Sequence, residues 1–168
     1  TVTTGTGSDT ITIQGDAADD ANVITDFTAG AGGDIIDLVT SAVSDGTTGT
    51  DIAGGSGLSG IATLAAAGNI AAGLTLMNGT NAASLSTTNV AARLADLNGG
   101  GEDVVGNDGE TDELYYIAMD DGTDTGIYLV TMAVGDVVIG AAEITQLLTL
   151  QGVADVTTLT AANFADFL

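Results

Sequence analysis

Apolar residues in this chain come in short bursts set among small and polar ones. Thr10-Ile11-Thr12-Ile13 puts both isoleucines on one face of a strand, and Val23-Ile24 and Ile35-Ile36-Asp37-Leu38 are further bursts separated by a Gly/Asp-rich turn. Residues 87–97 (TTNVAARLADL) carry the one clear helical period: Val90, Leu94 and Leu97 fall at i, i+4 and i+7, Ser86 or Thr87 can cap the start, and Asn98-Gly99 ends it. Two strand-like runs, Glu113–Met119 and Gly126–Met132, flank Asp120-Asp121-Gly122-Thr123-Asp124-Thr125, which predicts a hairpin. Another apolar run, Ala141–Leu150, leads into a C-terminal segment, Val153–Leu168.

Between these elements, residues 15–22 read as an acidic turn and 100–112 as an acidic loop. Residues 40–60, rich in Gly, Ser and Thr, read as a surface loop or poorly ordered insert. The Ala/Gly-rich stretch 61–83 fits short strands or helical turns equally well. The expected organisation is a single domain: a β segment over 1–39, an insert over 40–83, and a helix-plus-β part over 84–168.

Composition then removes most chemistry. Of 168 residues, twenty-three are acidic and one, Arg93, is basic; His, Cys and Pro are absent, and the net charge is −22. Without His, Cys or Lys there is no Ser-His-Asp or Cys-His nucleophile, no Schiff-base lysine, no His- or Cys-bound zinc and no thiol redox chemistry. Nucleic acid is excluded as a partner, and anionic membrane surfaces with it, since both are held by clustered Lys and Arg. No apolar run of about twenty residues is present, so membrane insertion is not expected. A carboxylate pair acting on a glycoside is the catalytic chemistry that remains, and no aromatic platform accompanies it. Self-repulsion at this charge opposes a compact state unless cations or salt offset it, yet a mean hydropathy of +0.39 is too high for ordinary disorder. A chain that folds as it binds divalent cations reconciles the two.

Two motifs point to that cation. Gly5-Thr6-Gly7-Ser8-Asp9-Thr10-Ile11-Thr12 fits G-x-G-x-D-x-U-x, the calcium-binding nonapeptide of parallel β-rolls with Thr4 in place of its leading Gly. Glycines at 5 and 7 let the backbone turn its carbonyls toward a hard ion, and Asp9 adds a carboxylate oxygen. Val23-Ile24-Thr25-Asp26-Phe27-Thr28-Ala29-Gly30-Ala31-Gly32-Gly33-Asp34-Ile35-Ile36-Asp37-Leu38 resembles the I-x-D-F-x-x-G-x-D-x-I-D-L segment that closes β-rolls in the repeats-in-toxin (RTX) proteins, with a short Ala-Gly-Gly insertion before Asp34. That group includes serralysin-type proteases and secreted adhesins.

The C-terminal third is similar to the same group. Tyr115-Tyr116-Ile117-Ala118, Ile127-Tyr128-Leu129-Val130, Leu148–Val153 and Leu159–Phe164 resemble the ends of RTX surface-layer proteins and adhesins, whose uncleaved C-terminus is a type I secretion signal. Residues 155–168 (DVTTLTAANFADFL) have that character: Thr/Ala-rich, acidic, and apolar at Phe167-Leu168. The resemblance, which covers about residues 4–38 and 113–168, joins the pattern in implying a mainly β fold: a short calcium-binding parallel β-roll or β-sandwich, with the helix near 87–97 from the periodicity and a C-terminal β-hairpin region. It implies Ca2+ as cofactor, with Gly5, Gly7, Asp9, Asp16, Asp19, Asp26, Asp34 and Asp37 as candidate ligands, Asp16, Asp19 and Asp20 lying one roll turn from Asp9. Asp120, Asp121 and Asp124 around Gly122 are a second candidate calcium set or a solvated hairpin tip.

The expected function is a non-enzymatic extracellular or cell-surface structural protein: a surface-layer, matrix or filament subunit, or an adhesin's terminal module. Its expected partners are the type I secretion machinery and further copies of itself, joined as a homo-oligomer, lattice or filament through calcium or sheet edges. The alternative is the non-catalytic RTX calcium-binding and secretion domain of a larger secreted hydrolase. On either reading calcium neutralises carboxylates outside the cell and couples folding to export.

Overall fold

Each apolar burst becomes a strand, and the strands divide between two sheets that share one core. The computed structural model describes residues 1–14, 22–39, 61–63, 74–77, 82–97, 113–132 and 139–165. In chain order the elements are β1 (Thr10–Gln14), β2 (Asn22–Ile24), β3 (Ile35–Val39), β4 (Ile61–Thr63), β5 (Leu74–Leu76), α1 (Thr87–Leu97), β6 (Glu113–Asp120), β7 (Thr125–Met132) and β8 (Ile144–Leu150). Single 3-10 turns lie at Ala141–Glu143, Val156–Thr158 and Ala161–Asn163. The mainly β class, the helix over 87–97 and the hairpin around 120–125 are all present. In the Ala/Gly-rich stretch the described pieces are strands, β4 and β5. Residues 15–21 of the acidic turn, the 40–60 insert and the 100–112 loop lie outside the described residues, and Asn22 begins β2.

β1 and β3 form a two-stranded parallel sheet in which Thr10 faces Ile35 and Ile11 faces Ile36. The other six strands form a mixed sheet in the order β2-β8-β7-β6-β5-β4. Its centre, β6-β7-β8, is antiparallel, while β2, β5 and β4 add in parallel at the flanks.

The hairpin β6-β7 is buried on both faces, which explains its unbroken apolar sequence. Tyr116, Ala118, Ile127 and Leu129 point to one side, where they join Ile13, Ile36 and Leu38 of the small sheet and Val156, Leu159 and Phe164 of the C-terminal segment. Ile117, Met119, Tyr128 and Val130 point to the other, where Val90 and Leu94 of α1 cover them. The layers are therefore small sheet, large sheet and helix. Of the two cap candidates Ser86 does the work: its carbonyl accepts from Val90 N at 3.0 Å and its hydroxyl from Asn89 N at 3.4 Å.

Two local features set the large sheet. Between β7 and β8 the register slips, with Ile127 opposite Leu148 and Tyr128 opposite Gln146, so Leu147 is the extra residue of a bulge and turns inward. Gly126 lies two residues before Tyr128, where any side chain would collide with the Tyr128 phenol. The ring lies over that gap and its hydroxyl donates to the Leu85 carbonyl at 2.8 Å, tying the sheet to the lead-in of the helix. Burial first, and the Asp121 charge second, raise the pKa of this phenol.

Phe164 is fully enclosed at the far end of the first cluster and forms a parallel bridge to Ile36. Phe164→Ala should therefore lower unfolding free energy by about 3–5 kcal/mol. Urea denaturation followed by circular dichroism checks this; a loss below about 1 kcal/mol would mean that the C-terminal segment is not part of the core.

Candidate functional site

Three stretches of chain, far apart in sequence, run beside one another in parallel. In one row Val2 bridges Ile24, and Ile24 in turn faces Leu150. In a second row Ile11 faces Ile36, and Ile36 bridges Phe164. Each stretch contributes one residue to each row, so residues 2–14, 22–39 and 150–165 stack as three rungs. Backbone bonds join them: Val2 N to Val23 O at 2.7 Å, Thr25 N to Val2 O at 3.1 Å, Ile35 N to Asp9 O at 2.7 Å and Gln151 N to Ile24 O at 2.8 Å.

The candidate ligands cluster at the turns between the two rows. In the first rung Gly5 and Gly7 have φ of 93° and 128°, values that a side chain resists, so the G-x-G turn depends on both. Asp9 closes the turn. Its N–H donates to Asp34 Oδ1 at 3.0 Å, and its own Oδ2 is enclosed without a hydrogen-bond partner.

In the second rung Asp26 and Asp34 have quite different surroundings from Asp9. Asp26 accepts from Thr4 N and Gly5 N, both at 2.8 Å, and from the Thr4 hydroxyl at 3.1 Å. The Thr4 amide, then the Gly5 amide and the Thr4 hydroxyl, hold its carboxyl below the usual aspartate range against a smaller opposing effect of desolvation. Asp34 is fully buried, with Oδ1 on Asp9 N and Oδ2 on Thr28 N at 2.8 Å and on the Thr4 hydroxyl at 3.3 Å. The Ala-Gly-Gly insertion makes this cradle possible. Asp34 N returns a bond to Thr28 O, Gly33 N bonds Gly30 O, and at Gly33 a side chain would run into the Thr28 carbonyl. Asp37 accepts from the Thr12 hydroxyl at 3.1 Å.

The third rung supplies a residue that the sequence reading missed. Asn163, fully buried, accepts through Oδ1 from Gly30 N at 2.8 Å and Thr160 N at 3.1 Å. Its Nδ2 donates to Asp34 O at 2.8 Å and Gly30 O at 3.2 Å. A capping-box spacing, Thr160-x-x-Asn163, was the available signal.

The hairpin-tip aspartates are also tied to the backbone. Asp120, buried, accepts from Gly122 N at 3.0 Å and Val156 N at 3.1 Å. Asp121 Oδ1 takes Thr123 N and Asp124 N, each at 3.0 Å, and Asp124 takes Gly152 N at 2.7 Å. Asp155 holds Thr157 N at 2.9 Å and the Thr157 hydroxyl at 2.6 Å, which lower its pKa, the hydroxyl most. Thus Asp120 and Asp124 grip the C-terminal segment from the hairpin side while Asn163 grips the second rung. Asp16 and Asp19 lie outside the described residues.

Against calcium chemistry the positions separate. The enclosed, unpartnered Oδ2 of Asp9, beside two left-handed glycines, suits a hard cation. The carboxylates of Asp26 and Asp34 do not offer free oxygens, because backbone N–H groups occupy both. Among the described residues no three acidic side chains are placed to hold one metal ion. No helix among them is long and apolar enough to cross a membrane. Comparison with family models, curated proteins and solved structures gives no match for this chain.

Two substitutions test the geometry. Asn163→Asp removes two donors and buries a second carboxylate beside Asp34, and should cost about 3–5 kcal/mol in urea unfolding. Asp26→Asn addresses pH. A carboxyl whose folded pKa is depressed adds stability above the ordinary value of about 3.9 and loses it as pH falls through the lower folded value. The stability gap between parent and Asp26→Asn at pH 7 should therefore close below about pH 4. A gap that persists at pH 2 would mean that the Asp26 charge contributes nothing.

Proposed function

We propose that this chain is a non-enzymatic, calcium-binding structural module that acts outside the cell, as a subunit of a surface layer, matrix or filament or as the end of an adhesin. The observation that carries this reading is the first turn. A G-x-G-x-D segment has both glycines left-handed and leads into a strand stacked in parallel on a second strand, and its Asp9 has an enclosed carboxylate oxygen that no group among the described residues satisfies. These features support the reading of a short calcium-binding parallel coil. Composition supports the absence of enzymatic chemistry, since the chain carries no His, Cys or Lys.

Calcium at this turn supplies positive charge that the sequence lacks. Asp9 would hold it, with Gly5 and Gly7 giving the backbone its bend. On the same reading residues 155–168 serve as a type I secretion signal. Val156, Leu159, Asn163 and Phe164 are built into the folded core, so such a signal is readable only before the chain folds. Export of an unfolded chain, followed by folding outside, is consistent with that burial.

Size-exclusion chromatography with light scattering, run in excess chelator and in millimolar calcium, tests assembly, and calorimetric calcium titration tests binding. The expected result is saturable calcium binding that Asp9→Asn abolishes, together with a calcium-dependent rise in mass. Absence of any binding heat at millimolar calcium would overturn the reading; a monomer at every calcium level would overturn the lattice.

A further inference from the structure

The resemblance that suggests calcium also assigns Asp26 and Asp34 to it, and the geometry disagrees. In the second rung the carboxylates reach back to the first: Asp26 to the amides of Thr4 and Gly5, Asp34 to the amide of Asp9. In the third rung Asn163 reaches back to the second, to the amide and carbonyl of Gly30 and the carbonyl of Asp34. The direction is the same at both junctions; Asp34 and Asn163 sit just before the second row, and Asp26 just after the first. At the lower junction the residue is an amide that both accepts and donates, a task no carboxylate bound to a cation performs.

We infer that the three rungs are fastened by side-chain-to-backbone bonds that need no metal, and that the cation of the reading above acts on the first turn, Gly5 to Asp9, without holding the stack together. A cation at Asp26 or Asp34 would compete for oxygens that already accept amide donors at 2.8–3.0 Å, and would weaken the bonds that join the first rung to the second. Asp9 is different because its Oδ2 has no donor to lose. Calcium on this account tunes one end of a stack that is already formed. The second half of this inference rests on the calcium reading; the first half does not.

The experiment is amide hydrogen exchange by NMR on the full 15N-labelled chain, in chelator and in millimolar calcium. The Thr28 amide reports the Asp34 cradle and the Gly30 amide reports Asn163. Both should exchange at rates within about twofold in the two conditions, while calcium-induced shifts are confined to Gly5–Asp9 and vanish in Asp9→Asn. Asp34→Asn should speed Thr28 exchange tenfold or more whether or not calcium is present. If that variant fails to fold, the comparison on the parent chain alone decides. Exchange at Thr28 and Gly30 that rises tenfold in chelator and recovers with calcium would overturn the metal-free fastening. Protected Thr28 and Gly30 amides with no calcium-induced shift at residues 5–9 would support the fastening and overturn the calcium reading.

Discussion

Carboxylates buried in this protein are met by backbone amides, because a chain with one basic side chain against twenty-three acidic ones has almost no cations of its own to pair with them. Removing an ionised carboxylate from water is costly unless charge or hydrogen bonds replace the lost hydration. Asp34 and Asp120 each accept one N–H from their own turn, Thr28 and Gly122, and one from another segment, Asp9 and Val156, so each such residue doubles as a tie between two parts of the chain. For Asp34 parallel stacking supplies the distant donor. A turn that enters a strand leaves free amides facing its neighbour, and an acidic side chain one rung away can reach them.

That rule links the small sheet, the hairpin and the C-terminal segment into one construction. The second rung grips the first through Asp26 and Asp34, the third grips the second through Asn163, and the hairpin tip grips the third through Asp120 and Asp124. Apolar packing completes it, since Ile24, Ile36, Leu150 and Phe164 lie in the same cluster. Residues 150–165 thus close the fold from the far end of the sequence. Their loss would expose both rows of the second rung.

Much of the local structure was legible from pattern. The isoleucine alternation in 10–13, the i, i+4, i+7 spacing in 87–97 and the Asp/Gly tip at 120–125 each specify an element by short-range physics alone. Long-range pairing was not legible. Nothing in Leu148-Thr149-Leu150 says that it lies beside Asn22-Val23-Ile24, because parallel partners carry no turn between them to fix the register. The double-sided burial of β6 and β7 was likewise hidden, as a continuous apolar run fits several architectures.

The site was legible in part and for a specific reason. Motif matching singled out Gly5 and Gly7, whose positive φ the turn requires, together with the neighbouring Asp9. Asp26 and Asp34 were grouped with them through the resemblance of 23–38, and the hairpin aspartates were a separate candidate set or a solvated tip, whereas the oxygens of all of these accept from different amides. Asn163 escaped notice because 155–168 was weighed as a signal, for composition, and not as a rung, for geometry. On this construction the three rungs form one cooperative unit closed by Asn163. This is tested most directly by native-state exchange of the Asp9 and Gly30 amides across a denaturant series, since the two report successive junctions. One shared opening free energy and one shared denaturant slope are predicted; separate values, with Gly30 opening while Asp9 remains protected, would contradict the account.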